Sequence, residues 1–369
     1  MGIGLLVAFV LAFGLSALLG AVARPLARRF GFLDRPDLDR KRGREAVPYG
    51  GGPAMLLGLV AGLGLLFWLC HAKRGVAPEW LEIAFPDLTL PGSAALRRMA
   101  FIAAGGLLVF VVGMVDDLRG LKPAIKLVVQ VVAALLLVFG GVRATAFIDN
   151  VAVSAILTVL WVVGLTNSFN LLDNMDGLSA GIVAIAAFIF AMVQVSVGEP
   201  FLAVTLALLA GVAAGFLVHN FCPARLYMGD AGIYLLGFTL SALTVEGTFY
   251  RYSDSYPAPA AMLAVGVPLL IMAVPMFDTA TVLWIRLREG RPLWIGDRSH
   301  LSHRLVGIGL SVRQAVLAIY LLTLACGIGA LLLKDLSIVG GALVLAQAAA
   351  ILAVVAILEG LGRRGADAD

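Results

Sequence analysis

Apolar residues run through the chain in eleven long stretches, near residues 3–23, 50–70, 97–115, 124–142, 151–169, 180–197, 200–218, 231–248, 258–285, 314–333 and 337–358. Polar residues are gathered into the short segments between them. Each run is about the length a helix needs to cross about 30 Å of hydrocarbon at a rise of about 1.5 Å per residue. The pattern therefore predicts an all-α integral membrane protein with about 10–11 transmembrane helices. The ninth run carries Pro268 and Pro275, so a kink is expected within it. Gly58 with Gly62, and Gly211 with Gly215, form small-residue faces expected to serve close helix packing. No repeat with a period of 20–50 residues interrupts the pattern. Ala21-Val22-Ala23 resembles a signal-peptidase site, but no positive charge precedes it and a basic run follows, so the first run is read as a span.

Composition narrows the class. With 61% hydrophobic and 14% charged residues, the chain lies far from soluble domains, of which about a quarter of residues are charged. No soluble domain fits between the runs, so residues 1–369 are expected to form a single polytopic membrane domain, with a short disordered tail at 362–369. No nucleic-acid partner is expected, and a homodimer is compatible with such a chain. Cys70, Cys222 and Cys326 lack metal or redox spacing and are read as packing residues. Of the 27 Lys and Arg residues, 20 fall in one alternate set of loops and ends. That bias places this set in the cytoplasm, with the amino terminus outside and the carboxyl terminus inside.

The same face collects the chain's unusual residues. Asp116, Asp117, Asp173, Asp176 and Asp230 all stand at the cytoplasmic ends of apolar runs, where an unpaired charge is costly. A divalent cation is the economical partner for so many acids, and hard oxygen donors favour Mg²⁺, with Mn²⁺ as the alternative. Neighbouring helical residues point about 100° apart, so Asp116 and Asp117 are expected to divide their roles. The cationic group comprises Arg40, Lys41, Arg42 and Arg44, then Lys122 and Lys126, then Arg298, His300, His303 and Arg304. Basic loops follow from topology alone. Two histidines three apart between two arginines, however, suit phosphate oxygens or proton transfer. Acids for a cation and bases for anions describe a phosphoryl-transfer site. No GxxxxGK[ST] loop is present, which disfavours a P-loop ATPase. An ion-coupled secondary transporter is the rival class, but its acids would lie near the midplane in repeated halves rather than at one face.

In that order, the segments RKRGREAVPYGGG, GMVDDLRGLKP, NSFNLLDNMDGLSAG, RLYMGDAG and DRSHLSHRL resemble the polyprenyl-phosphate N-acetylhexosamine-1-phosphate transferase family from about Arg24 to Arg313. Members of that family initiate O-antigen, enterobacterial common antigen and teichoic acid assembly. The histidine motif is closer to the undecaprenyl-phosphate GlcNAc-1-phosphate transferase branch than to the phospho-MurNAc-pentapeptide translocase, which reads PIHHHFE and is the second reading. The resemblance implies transfer of N-acetylhexosamine 1-phosphate from a UDP-sugar, most simply UDP-GlcNAc, to undecaprenyl or another polyprenyl phosphate. UMP would be released at the cytoplasmic face of a bacterial plasma membrane. It also implies roles: Asp230 as principal Mg²⁺ ligand with Asp117 beside it, and Asp116 as the group that deprotonates the lipid phosphate. Asn170, Asp173, Asp176, Asn220 and Tyr227 would line the nucleotide pocket, and His300, His303 and Arg304 would contact the diphosphate. Lys41 and Lys122 are carried over as further anion contacts. Two positions depart from the family pattern: Asn174 stands where glycine is usual, and Ser302 where a further histidine is common.

Overall fold

In the computed structural model the described residues are 2–34, 46–72, 83–85, 88–144, 150–250, 263–293 and 297–366. Helices fill nearly all of them. In chain order they are α1 (Gly2–Arg29), α2 (Gly51–Ala72), α3 (Ser93–Arg119), α4 (Pro123–Gly140), α5 (Val151–Leu172), α6 (Leu178–Ser196) and α7 (Pro200–Asn220). They continue as α8 (Gly229–Thr244), α9 (Gly266–Ile271), α10 (Ala273–Arg288), α11 (Leu301–Gly307), α12 (Val312–Leu332) and α13 (Ile338–Ala366). Nine of the described helices are long and apolar enough to cross a membrane. The chain is a multi-pass membrane protein.

The two remaining apolar runs are interrupted for identifiable reasons. After α8 the chain widens into a π-helical turn, Val245–Tyr250, which carries Glu246. The ninth run breaks at Met272, between α9 and α10. Pro275 has no N–H to offer the Ile271 carbonyl, so the hydrogen-bond ladder cannot pass through unbroken. The kink expected from the two prolines is thus present, and the segment splits at that point. α13 extends to Ala366, into the stretch expected to be a tail.

Local chemistry marks the helix ends. Asn150 accepts the Ala152 and Val153 N–H groups at the start of α5, and Ser311 with Gln314 forms a capping box on α12. Pro123 and Pro200 begin α4 and α7, where a missing N–H costs nothing.

Packing places α6, α7 and α8 at the centre, and α13 at the rim. α7 lies against α1, α2 and α6. A Cβ added at Gly211 or Gly215 would strike the Phe9 or Phe13 carbonyl of α1, and one at Gly62 would crowd Leu208 of α7. The two small-residue faces therefore work as packing surfaces. α8 is flanked by α3 and α5, and Gly113 lets α3 approach the backbone of Asp230 and Ala231 so closely that no side chain would fit. At the opposite end of this helix pair, Arg98 of α3 bonds both carboxylate oxygens of Glu246 at 2.8 and 2.9 Å, fully inside the protein. β1 (Leu33–Asp34) and β2 (Val47–Pro48) form a two-stranded antiparallel ribbon with Leu33 opposite Pro48. The ribbon delivers Tyr49 to a bridge with Tyr227, just before α8.

Candidate active site

The start of α8 is built from two chains of contact. Met228 at its N-cap supplies no capping side chain, so the first N–H groups need an acceptor from elsewhere. Asp117, at the end of α3, provides it: its two oxygens accept the Asp230 and Ala231 N–H groups at 2.7 and 3.1 Å. A carboxylate at a helix N-terminus also meets the positive end of the helix dipole. Gly229 makes the approach possible, with φ at 69° and the Asp117 carboxylate where a Cβ would otherwise stand.

Asp230 then projects between α3, α4 and α5. Lys126 of α4 donates to Asp116 Oδ2 at 2.8 Å and to Asp230 Oδ2 at 2.9 Å. Asp116 also accepts the Leu121 N–H at 2.5 Å, and Asn170 donates to Asp230 Oδ1 at 3.2 Å. Lys122 caps the start of α4 and is exposed, whereas Lys126, one turn further on, reaches the acids. Lys122 is the anion contact expected from sequence, but Lys126 is the lysine that bonds the acids.

A cavity of about 300 Å³ opens beside these groups, lined by Asp34, Tyr49, Asp117, Asp173, Asn174, Met175, Asp176, Asn220, Tyr227, Gly229 and Asp230. Asn220 fixes its floor, accepting the Gly177 N–H at 3.0 Å and donating to the Leu226 carbonyl at 3.0 Å. Asp176 accepts the Ala224 N–H at 2.9 Å. Asp173 follows the end of α5; its side chain is open to the cavity yet walled by protein. That enclosure, then the charges of Asp230, Asp117 and Asp176, raises its carboxyl to about 7. Tyr227 and Tyr49 face each other with ring centroids 6.2 Å apart, and Tyr49 donates to Asp34 at 3.2 Å. Burial, then the Asp34 carboxylate, pushes the Tyr49 phenol above its ordinary range, so it remains a neutral donor. Asp34 and Tyr49 were absent from the sequence-based site. They lie far from the acid motifs along the chain, and only the ribbon pairing brings them in.

The histidine segment forms a separate corner. His300 is buried, with Nδ1 2.8 Å from Asp278 of α10. His303 is half-buried; burial, then the charges of His300 and Arg298, lowers its imidazole below the usual range. The Arg304 guanidinium turns toward Thr281 at 3.1 Å and Glu359 of α13 at 3.0 Å. None of these three lines the cavity. The link between the two regions is Ser302, whose hydroxyl donates to Asn174 Oδ1 at 2.5 Å. The two departures from the family pattern are thus partners of each other. Lys41 lies outside the described residues, as do Arg40, Arg42 and Arg44.

Among the described residues, no three His, Cys, Asp or Glu side chains enclose a metal by themselves. The donor set nevertheless suits a hard cation: Asp116 and Asp230 turn one oxygen each toward the same positive charge, that of Lys126. Mg²⁺ commonly takes one or two carboxylates and completes its shell with water and substrate phosphates.

A family model described as Glycosyl transferase family 4 matches residues 99–248, which contain all five acids but not the histidine corner. The chain is 30% identical over 345 residues to the probable undecaprenyl-phosphate N-acetylglucosaminyl 1-phosphate transferase of Bacillus subtilis, covering 91% of this chain and 87% of that protein. It is 32% identical over 368 residues to the decaprenyl-phosphate N-acetylglucosaminephosphotransferase of Mycolicibacterium smegmatis, covering 93% and 85%. It is 26% identical over 313 residues to the undecaprenyl-phosphate alpha-N-acetylglucosaminyl 1-phosphate transferase of Escherichia coli K12, covering 81% and 76%. Similarity of this extent, carried along most of both chains, makes the protein a member of the polyprenyl-phosphate N-acetylhexosamine-1-phosphate transferase family.

Proposed function

We propose that the protein transfers N-acetylglucosamine 1-phosphate from UDP-GlcNAc to a polyprenyl phosphate at the cytoplasmic face of a bacterial plasma membrane. A phosphate oxygen of the lipid attacks the phosphorus that bears the sugar. The bond from that phosphorus to the bridging oxygen breaks, UMP leaves with the electron pair, and a sugar-diphospho-lipid remains in the membrane. The observation that carries this reading is the convergence of five carboxylates and one ammonium at the ends of membrane helices, beside a cavity of about 300 Å³.

In this reading Asp230 would hold Mg²⁺, with Asp116 as the second carboxylate within reach. When bound, the ion would neutralise the diphosphate and the charge that develops on the leaving UMP. Asp117 supports Asp230 from behind, because both of its oxygens hold the α8 backbone from which Asp230 projects. Lys126 stands ready to meet a phosphate oxygen once a cation satisfies the acids. Tyr227 and Tyr49 offer aromatic surface to the nucleoside, while Asp173, Asp176 and Asn220 shape the pocket around it. His300 and His303 are assigned to the diphosphate. Phosphoryl transfer asks chiefly for positioning and charge neutralisation, which such a set supplies.

The test is direct. Purified protein in detergent, given UDP-GlcNAc, undecaprenyl phosphate and Mg²⁺, is expected to release UMP and form the diphospho-lipid. Absence of UMP with every UDP-N-acetylhexosamine tried would refute the proposal.

A further inference from the structure

Asp278 has no part in the reading above, yet its side chain is wholly buried within a helix of the ninth apolar run. A carboxylate is retained in such a place only with partners. Asp278 has two, and they are consecutive along the chain. Its Oδ2 lies 2.8 Å from His300 Nδ1, and its Oδ1 accepts the Leu301 N–H at 2.6 Å. A carboxylate has no proton to give, so Nδ1 supplies the hydrogen of the first bond. Nε2 is left without a protein partner among the described residues.

This double grip does more than satisfy a buried charge. The ring bond sets the rotation of the imidazole, and the backbone bond sets where α11 begins. Two residues on, Ser302 donates to Asn174, a residue of the acidic cavity's wall. The same carboxylate therefore determines both the aim of His300 and the seating of the segment that touches the cavity. Thr281, one turn beyond Asp278, accepts from Arg304 and steadies the middle of α11.

We infer that Asp278 is a positioning residue for phosphoryl transfer: it commits His300 Nδ1 and leaves Nε2 as the atom that meets a phosphate oxygen of the anionic substrate. The inference rests on the transferase reading and on His300 acting at the diphosphate. With a second proton on the ring, Nε2–H donates to the phosphate oxygen while Asp278 balances the charge behind it.

Side-chain amides separate this role from a purely structural one. In His300→Asn, the amide nitrogen replaces ring Nδ1 and keeps the bond to Asp278, but nothing reaches the position of Nε2. Its melting temperature is expected within about 2 °C of the parent, with kcat for UMP release lowered about 100-fold, as when one preorganised donor is lost. Asp278→Asn should lower kcat about 10-fold or more while moving KM for UDP-GlcNAc less than about 3-fold, the signature of a group needed mainly in the transition state. The double variant should be no slower than His300→Asn alone. Full kcat in Asp278→Asn beside a crippled His300→Asn would overturn the positioning role and leave the transferase reading intact. Full kcat in His300→Asn would overturn both the inference and the placement of His300 at the diphosphate. Should Asp278→Asn not accumulate as folded protein, His300→Gln decides, since its amide reaches toward Nε2 but gives Asp278 no Nδ1 partner. Turnover as low as in His300→Asn is expected, and parental turnover would overturn the inference.

Discussion

Where the ends of α3 and α5 meet the start of α8, five acids gather, Asp116, Asp117, Asp173, Asp176 and Asp230, and among the described residues one side-chain cation, Lys126, bonds two of them, Asp116 and Asp230. At the α10–α11 corner the proportions are reversed. Asp278 has His300, Glu359 has Arg304, and Asp297 has both Arg286 and Arg291. Both regions draw on the same side-chain types. In the corner, charges are matched one against another and spend their attraction on holding a short helix in place. In the cavity, acids outnumber their bonded cation, and an excess of neighbouring, mostly half-buried carboxylates opposes folding. An arrangement that opposes folding persists where a ligand uses it. Acids matched by arginine here mark scaffold, and surplus charge marks the place where a cation and a phosphorylated substrate belong.

Substitutions test that contrast from both sides. Asp230→Asn removes the central member of the surplus and should cost about 1000-fold or more in UMP release, with the protein eluting from detergent as the parent does. Lys126→Met removes the cation that bonds Asp116 and Asp230 and leaves these two acids facing each other. Turnover should drop about 100-fold, and stability should fall by about 1–3 kcal/mol as two acceptors lose their donor, which thermal unfolding in detergent would register. At Asp297, which is matched by two arginines, the effect should fall on stability instead. Partial burial opposes ionisation of Asp297, but Arg286 and the Ser299 N–H hold its carboxyl down at about 2. A carboxyl depressed on folding stabilises above its ordinary pKa, and the benefit disappears as pH falls through the folded value. Asp297→Asn should therefore lose about 2 kcal/mol at neutral pH. The gap between parent and variant melting temperatures should close as pH is lowered from about 4 toward 2. The smallest change is Tyr49→Phe, which deletes the bond to Asp34. A loss of about 1 kcal/mol or less in nucleotide binding is expected, seen as a rise in KM with kcat kept.

The eleven apolar runs were legible because the hydrocarbon core imposes one length and one composition on whatever crosses it. The acids were legible as well, since a carboxylate at the end of an apolar run is conspicuous. What the chain hid were pairings between distant residues. Lys126 and Lys122 look equivalent in sequence, and only the turn from Gly120 into Pro123 decides which one faces Asp230. Asp278 stands inside a run of span length, and its partner His300 lies 22 positions further on, in the next polar segment. Glu246 and Arg98 are 148 positions apart, and nothing local ties them. Tyr49 enters the cavity through a ribbon of two residues per strand, too short to carry a periodic signal.

The Arg98–Glu246 pair has a consequence for the bilayer. α3 and α8 are joined there at one end and through Asp117 at the other, so neither helix can slide along its neighbour. A membrane thinner or thicker than the apolar belt has to be met by tilting the whole bundle or by movement of rim helices such as α13. Heights within the central pair stay fixed, and the distance from Asp116 to Asp230 becomes insensitive to lipid chain length. Cells that remodel their lipids with temperature would keep the carboxylates in register.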